Sequence, residues 1–181
     1  NLRIVCCPLA TTFVGPVSSE KTVDVCFLGG GNWRGHRREG VPEDRELLKP
    51  MLERMLCDEF PDKILLLGNV RYEEYAQALA SSRVAVCVGG HGIEPVRTYE
   101  AMSCVDTLVV REEKDHLTPW PLVNGQTCLT FRSHDEIPKL CRAALTDENK
   151  RQEIAKRGNP LIWQHYTPRS RARQILSVVG V

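Results

Sequence analysis

Five short apolar runs constrain this chain more than any other feature: TVDVCFL at 22–28, KILLLG at 63–68, RVAVCVG at 83–89, DTLVV at 106–110 and QTCLTF at 126–131. Each is nearly continuous in its apolar character. Strands that are solvated on one face alternate instead, so runs of this kind fit strands buried on both faces of a parallel sheet. Parallel neighbours need long crossover connections, and the intervening segments carry helical patterns. The expected fold is therefore a single α/β domain: a doubly wound parallel sheet with helices on both faces.

Between Glu43 and Phe60, Leu47, Leu48, Met51, Leu52, Met55 and Leu56 recur at helical spacing, with Pro50 placed to kink or split the helix. A shorter helix is expected from Glu73 to about Ser81, and another after Pro95, whose fixed φ suits a first turn. Ser133 and Glu136 have the spacing of a capping box opening a helix through Leu145. Thr146 is expected to cap the next helix, which should stop at Gly158. A C-terminal helix from about 160 should break near Thr167, ahead of Pro168. Residues 1–22 read as a linker or edge strand and 23–181 as the domain.

A length of 181 residues suits one core. The formal net charge of +1 comes from acids and bases spread along the chain, so no general attraction to nucleic acid is expected. The eight cysteines lie mostly within apolar runs and form no CxxC pair, which fits reduced core residues in a reducing, cytoplasmic setting. No stretch reaches the roughly 20 apolar residues of a membrane span. The histidines and carboxylates show no metal-ligand spacing, so no metal and no cofactor are expected. The chain begins at Asn1 without a methionine, which suggests a piece of something longer.

In doubly wound sheets, ligands sit beyond the carboxyl ends of the strands, which directs attention to three loops. GGGNWRGHRREG, after the first strand, combines Gly30 and Gly31 with Arg34 and Arg37, a set suited to phosphate or equally to a solvated surface turn. Its glycine spacing misses the dinucleotide fingerprint by one residue. GNVRYEE holds Asn69, Val70 and Tyr72 in a tight turn leading into a helix. GGHGIEPVRTYE places Gly90, His91 and Gly92 before a helix whose free N–H groups and positive dipole end favour an anion. His91 is a candidate general base or simply a polar loop residue. Arg97 and Glu100 could grip a phosphate and vicinal hydroxyls, or form an intrahelical ion pair worth a few tenths of a kcal/mol.

Four stretches in order, VDVCFLGGG, LLLGNVRYEEYAQALASSRVAV, RTYEAMSCVDTLVV and HYTPRSRARQIL, resemble the C-terminal, nucleotide-binding half of GT-B glycosyltransferases, and most closely the CgeB-like branch of the group 1 enzymes. The resemblance implies a Rossmann-like donor-binding domain, one half of a GT-B fold. It implies that Glu100 meets the ribose of a nucleotide sugar, that Arg97 and the backbone at Gly90 to Gly92 meet the diphosphate, and that Asn69, Val70 and Tyr72 lie beside the base. Gly30, Gly31 and Arg34 or Arg37 would approach the phosphates or the acceptor cleft, and His91 the donor sugar. The implied activity is metal-independent transfer of a sugar to an acceptor, completed by an N-terminal acceptor-binding domain or partner chain.

The sequence departs from the group 1 pattern in two places. Gly92 stands where many members carry a second glutamate, and Val105–Asp106 replaces a glycine-containing turn. A nucleotide-sugar epimerase and a non-catalytic interaction or carbohydrate-recognition module are the alternative readings.

Overall fold

A computed structural model describes residues 17–28, 54, 60, 64–67, 71–88, 95–113 and 120–179. The expected helix between Glu43 and Phe60 falls almost entirely outside them. Five parallel strands, β1 (Val23–Leu28), β2 (Ile64–Leu67), β3 (Ser82–Cys87), β4 (Leu108–Glu112) and β5 (Leu129–Phe131), lie in the order β2-β1-β3-β4-β5. All five apolar runs thus became strands, each within a few residues of its expected bounds. The chain moves from β1 to one side for β2 and returns to the other side for β3. This places the topological switch between the carboxyl ends of β1 and β3.

The described helices are α1 (Tyr72–Ser81), α2 (Val96–Ser103), α3 (Ile137–Thr146), α4 (Glu148–His165) and α5 (Pro168–Val179). They cover both sheet faces, because alternate strand residues feed two separate clusters. Cys26, Ala85, Cys87 and Val109 pack against Leu79 of α1, Tyr99 and Met102 of α2 and Ile162 of α4. Val25, Val84, Val86 and Val110 pack against Ile137, Cys141 and Ala144 of α3. The described cysteines Cys26, Cys87, Cys104, Cys128 and Cys141 are buried and free of disulfides, packing as small hydrophobes.

Several helix boundaries differ from the expected ones. The Ser133 side chain makes no capping hydrogen bond. Its hydroxyl bonds Asp135, and Glu136 accepts from the backbone N–H of Arg132, so a 3-10 turn at His134–Glu136 precedes α3. Asp147, not Thr146, caps α4 by accepting from the Lys150 N–H at 3.0 Å, while the Thr146 hydroxyl bonds back to the Arg142 carbonyl. Gly158 does not end α4, which runs on past Pro160 to His165. A Cβ at 158 would lie 2.4 Å from the Thr127 carbonyl oxygen, so this glycine serves close approach, not termination. The C-terminal break falls at Tyr166–Thr167, as Pro168 requires, and no separate helix starts near 160.

A polar network fastens the amino ends of β3 and β4. Arg151, 1% exposed, donates to the carbonyls of Arg83 and Asp106 and bonds both carboxylate oxygens of Glu148. Asp106 has φ 57°, and its carbonyl is one that Arg151 holds. The turn that glycine commonly makes is therefore made here by aspartate, a residue that tolerates the left-handed region better than most. Val17 joins this edge through a parallel bridge to Cys104, and Lys21 donates to the Ala80 carbonyl and Thr107 hydroxyl at 2.6 and 2.7 Å.

Candidate active site at the carboxyl ends of the strands

The helices α1 and α2 both start at the carboxyl edge of the sheet, after β2 and β3 respectively, and run back along one face. Pro95 is the N-cap of α2, with extended backbone (φ −73°, ψ 136°), and its carbonyl accepts from the Thr98 N–H at 3.0 Å. A proline here removes an N–H that a helix start would leave unsatisfied anyway. The remaining first-turn N–H groups face the strand ends, where an anion is favoured.

Two of the expected residues lie in α2, and two more come from its neighbours, Tyr75 of α1 and Arg111 of β4. Glu100 is 8% exposed, and its Oε2 accepts from the Tyr75 hydroxyl of α1 at 2.5 Å. Its partner therefore comes from the neighbouring helix, across 25 residues of sequence. Burial, then the charge and hydrogen bond of Glu100, push the Tyr75 hydroxyl well above its ordinary range, against a smaller opposing pull from Arg97. Tyr75 is thus a donor at any physiological pH.

Arg97 is partly exposed, and its Nε is buried with no hydrogen-bond partner among the described residues. A buried guanidinium N–H without an acceptor is costly, on the order of 1–3 kcal/mol or more for a charged group. Arg111, 3% exposed, lies at the carboxyl end of β4 opposite Cys87 of β3 in the register. Burial pushes the Cys87 thiol up to about 11, while Arg97 first and Arg111 second pull it back. Two guanidinium groups therefore lie near Cys87, on the sheet face against which Tyr75 packs. At its edge, the exposed Arg132 pairs with Glu113 at 2.5 Å.

Tyr72 opens α1 and is 51% exposed, on the carboxyl side of the sheet. The other sequence candidates, Gly30, Gly31, Arg34, Arg37, Asn69, Val70, Gly90, His91 and Gly92, lie outside the described residues. Tyr75 and Arg111 were not singled out from sequence. A cation closing an apolar strand was a visible signal for Arg111. Nothing local marked Tyr75, because its partner is set by how two helices pack. Among the described residues no group of three His, Cys, Asp or Glu side chains is placed to hold a metal ion. None of the described helices is long and apolar enough to cross a membrane.

Several solved structures share this fold. Sucrose-phosphate synthase from Thermosynechococcus elongatus superposes with a TM-score of 0.61 at 16% identity, covering 86% of this chain and 37% of that one. Anabaena HepE in complex with UDP gives 0.59 at 14% identity, over 88% of this chain and 49% of that one. The isolated C-terminal domain of the group 1 glycosyl transferase LpcC from Francisella tularensis gives 0.56 at 16% identity, with 84% and 88% covered. The chain therefore has the α/β fold of the C-terminal domain of GT-B glycosyltransferases, and spans less than half the length of the longer two of these relatives.

The family model described as glycosyl transferase-like matches residues 17–177, and the chain belongs to that family. Comparison with curated proteins gives no match.

Proposed function

We propose that the chain is the donor-binding domain of a metal-independent glycosyltransferase, of the CgeB-like branch of group 1, and that it holds a nucleoside diphosphate sugar at the carboxyl ends of β1, β3 and β4. The observation that carries this reading is the buried Glu100 carboxylate, fixed one turn into a helix whose N-terminus opens on the switch point. A carboxylate so placed is a ready acceptor for the vicinal hydroxyls of a ribose. The α2 N-terminus and Arg97, whose Nε has no partner among the described residues, supply positive charge for the diphosphate.

The chemistry follows from the charge distribution. Departure of a nucleoside diphosphate builds negative charge on its terminal phosphate. Fixed N–H dipoles and guanidinium groups at that position stabilise the leaving group without having to reorganise. His91 and the glycine-rich loops at Gly30–Gly31 and Gly90–Gly92 would complete the donor pocket, with Asn69, Val70 and Tyr72 beside the base and Arg34 or Arg37 toward the phosphates or the acceptor. The UDP complex of HepE supports the choice of uridine nucleotides as first probes. An acceptor domain, in the same polypeptide or a partner, would supply the rest of the cleft.

Isothermal titration of the chain with UDP, GDP and their sugars tests this directly. The expected result is saturable binding by wild type that Glu100→Ala weakens by at least tenfold. A wild-type chain that binds no nucleotide at millimolar concentration, while melting cooperatively, would instead favour a fold kept for protein or carbohydrate recognition.

A further inference from the structure

Glu100 is held from outside its own helix, and this has chemical consequences. A glutamate side chain has three rotatable bonds, and an untethered carboxylate samples several positions. Here the Tyr75 hydroxyl reaches across from α1 and donates to Oε2 at 2.5 Å, while Glu100 itself is 8% exposed. The tyrosine ring is partly buried against the cluster that includes Leu79, Cys87 and Tyr99, so the donor is itself fixed by packing. A carboxylate offers about four lone-pair sites. Tyr75 engages Oε2 from the protein side.

We propose that Tyr75 is the positioning residue for Glu100, locking the carboxylate so that it meets both hydroxyls of a ribose and thereby sets a preference for ribonucleotides over 2′-deoxyribonucleotides. This rests on the reading of the site as a nucleotide-sugar pocket. The tyrosine touches the carboxylate, not the ligand, and acts by pre-ordering it before binding. A ribose diol presents two hydroxyl donors to the carboxylate, whereas a 2′-deoxyribose presents one. A site built around such a contact discriminates against the analogue that lacks it. The direction of the bond is secure, since the burial and the Glu100 charge that raise the Tyr75 ionisation keep its proton in place.

The experiment uses the full chain in four forms: wild type, Tyr75→Phe, Glu100→Ala and the double variant. Each is titrated calorimetrically with UDP, 2′-deoxy-UDP and inorganic pyrophosphate, with GDP and 2′-deoxy-GDP in parallel. Removing one phenolic oxygen should weaken UDP or GDP by about 3- to 10-fold, the range expected for loss of side-chain pre-ordering. Binding of the 2′-deoxy nucleotides and of pyrophosphate should stay within about twofold, so the ribo-to-deoxy ratio falls. Glu100→Ala should abolish that ratio, and the double variant should show no further loss.

Equal weakening of all ligands by Tyr75→Phe would mean a purely structural tie between α1 and α2 and would overturn the proposal. So would an unchanged ribo-to-deoxy ratio in Tyr75→Phe when Glu100→Ala has lost it, and in that case the nucleotide reading survives alone. If wild type binds neither UDP nor GDP, both readings fall together.

Discussion

Arg151 illustrates what one buried charge demands of its surroundings. Its guanidinium is 1% exposed, and the donors that would otherwise be orphaned are met by two backbone carbonyls and both oxygens of Glu148. Glu148 is half exposed, so its contribution is screened. The hydrogen bond from Arg151 is the main reason that its carboxyl falls from the usual 4.5 to about 2. A folded-state value below the unfolded one means that the unfolded chain takes up the proton first. The contribution is therefore fully present above about pH 4.5 and is lost as the pH falls through 2. Glu148→Gln should lower stability at pH 7 by about 1–2 kcal/mol, from hydrogen bonds to a charged group discounted for exposure. Denaturant melts at several pH values should show the gap between wild type and variant closing between pH 5 and pH 2. A gap independent of pH would mean that the charge on Glu148 is not what supports Arg151.

Among the elements, α4 shows most clearly where local rules and tertiary packing part company. Read locally, Gly158 ends a helix and Pro160 forbids one, yet α4 continues through both to His165. Asn159 donates to the Met102 carbonyl at 2.9 Å, and the face at Gly158 lies against Thr127 and Met102 with no room for a methyl group. Helix propensity alone would make Gly158→Ala stabilising by about 1 kcal/mol. The clash is with a backbone carbonyl that a side-chain rotation cannot relieve, and overpacking of this kind costs about 1–3 kcal/mol. We expect a net loss of about 1–2 kcal/mol, read as a lower denaturation midpoint with an unchanged m-value. A rise in the midpoint would show that α4 can shift away from the sheet edge. The same logic separates what was legible in sequence from what was not. The strands were legible because burial on both faces writes itself into most positions of β1, β3 and β4. The helix caps at Ser133 and Thr146 were not, because the Ser133 hydroxyl turns to Asp135, the Thr146 hydroxyl to the Arg142 carbonyl, and Asp147 takes the Lys150 N–H, a choice that depends on geometry. In the candidate site, Glu100 and Arg97 were legible from their place after a glycine loop and a proline. Tyr75 was not, because its role exists only once α1 and α2 lie side by side.

At the scale of the whole molecule, the two clusters share one sheet, so losing either face exposes strand residues that the other depends on. The domain should therefore unfold as a unit, and a ligand at the strand ends should stabilise all of it. The chain spans 37% of sucrose-phosphate synthase and 49% of HepE, yet 88% of the isolated LpcC C-terminal domain. A fold of this extent can exist alone, and the proposed contacts from Arg97 and Glu100 all lie within it. Nucleotide binding is thus expected to survive without an acceptor domain even where sugar transfer does not. By mass action, UDP at about 100 times its dissociation constant should add roughly 2.7 kcal/mol to stability. For a domain of this size that corresponds to a rise of about 5–10 °C in melting temperature. Differential scanning fluorimetry across a UDP series, on wild type and Glu100→Ala, reads the effect. At one fixed concentration the variant should shift less, because its weaker binding lowers the ratio of ligand to dissociation constant. Equal shifts for both would place the nucleotide elsewhere on the domain. No shift for wild type, alongside a single cooperative melt, would count against nucleotide binding by this domain and favour a fold kept for protein or carbohydrate recognition.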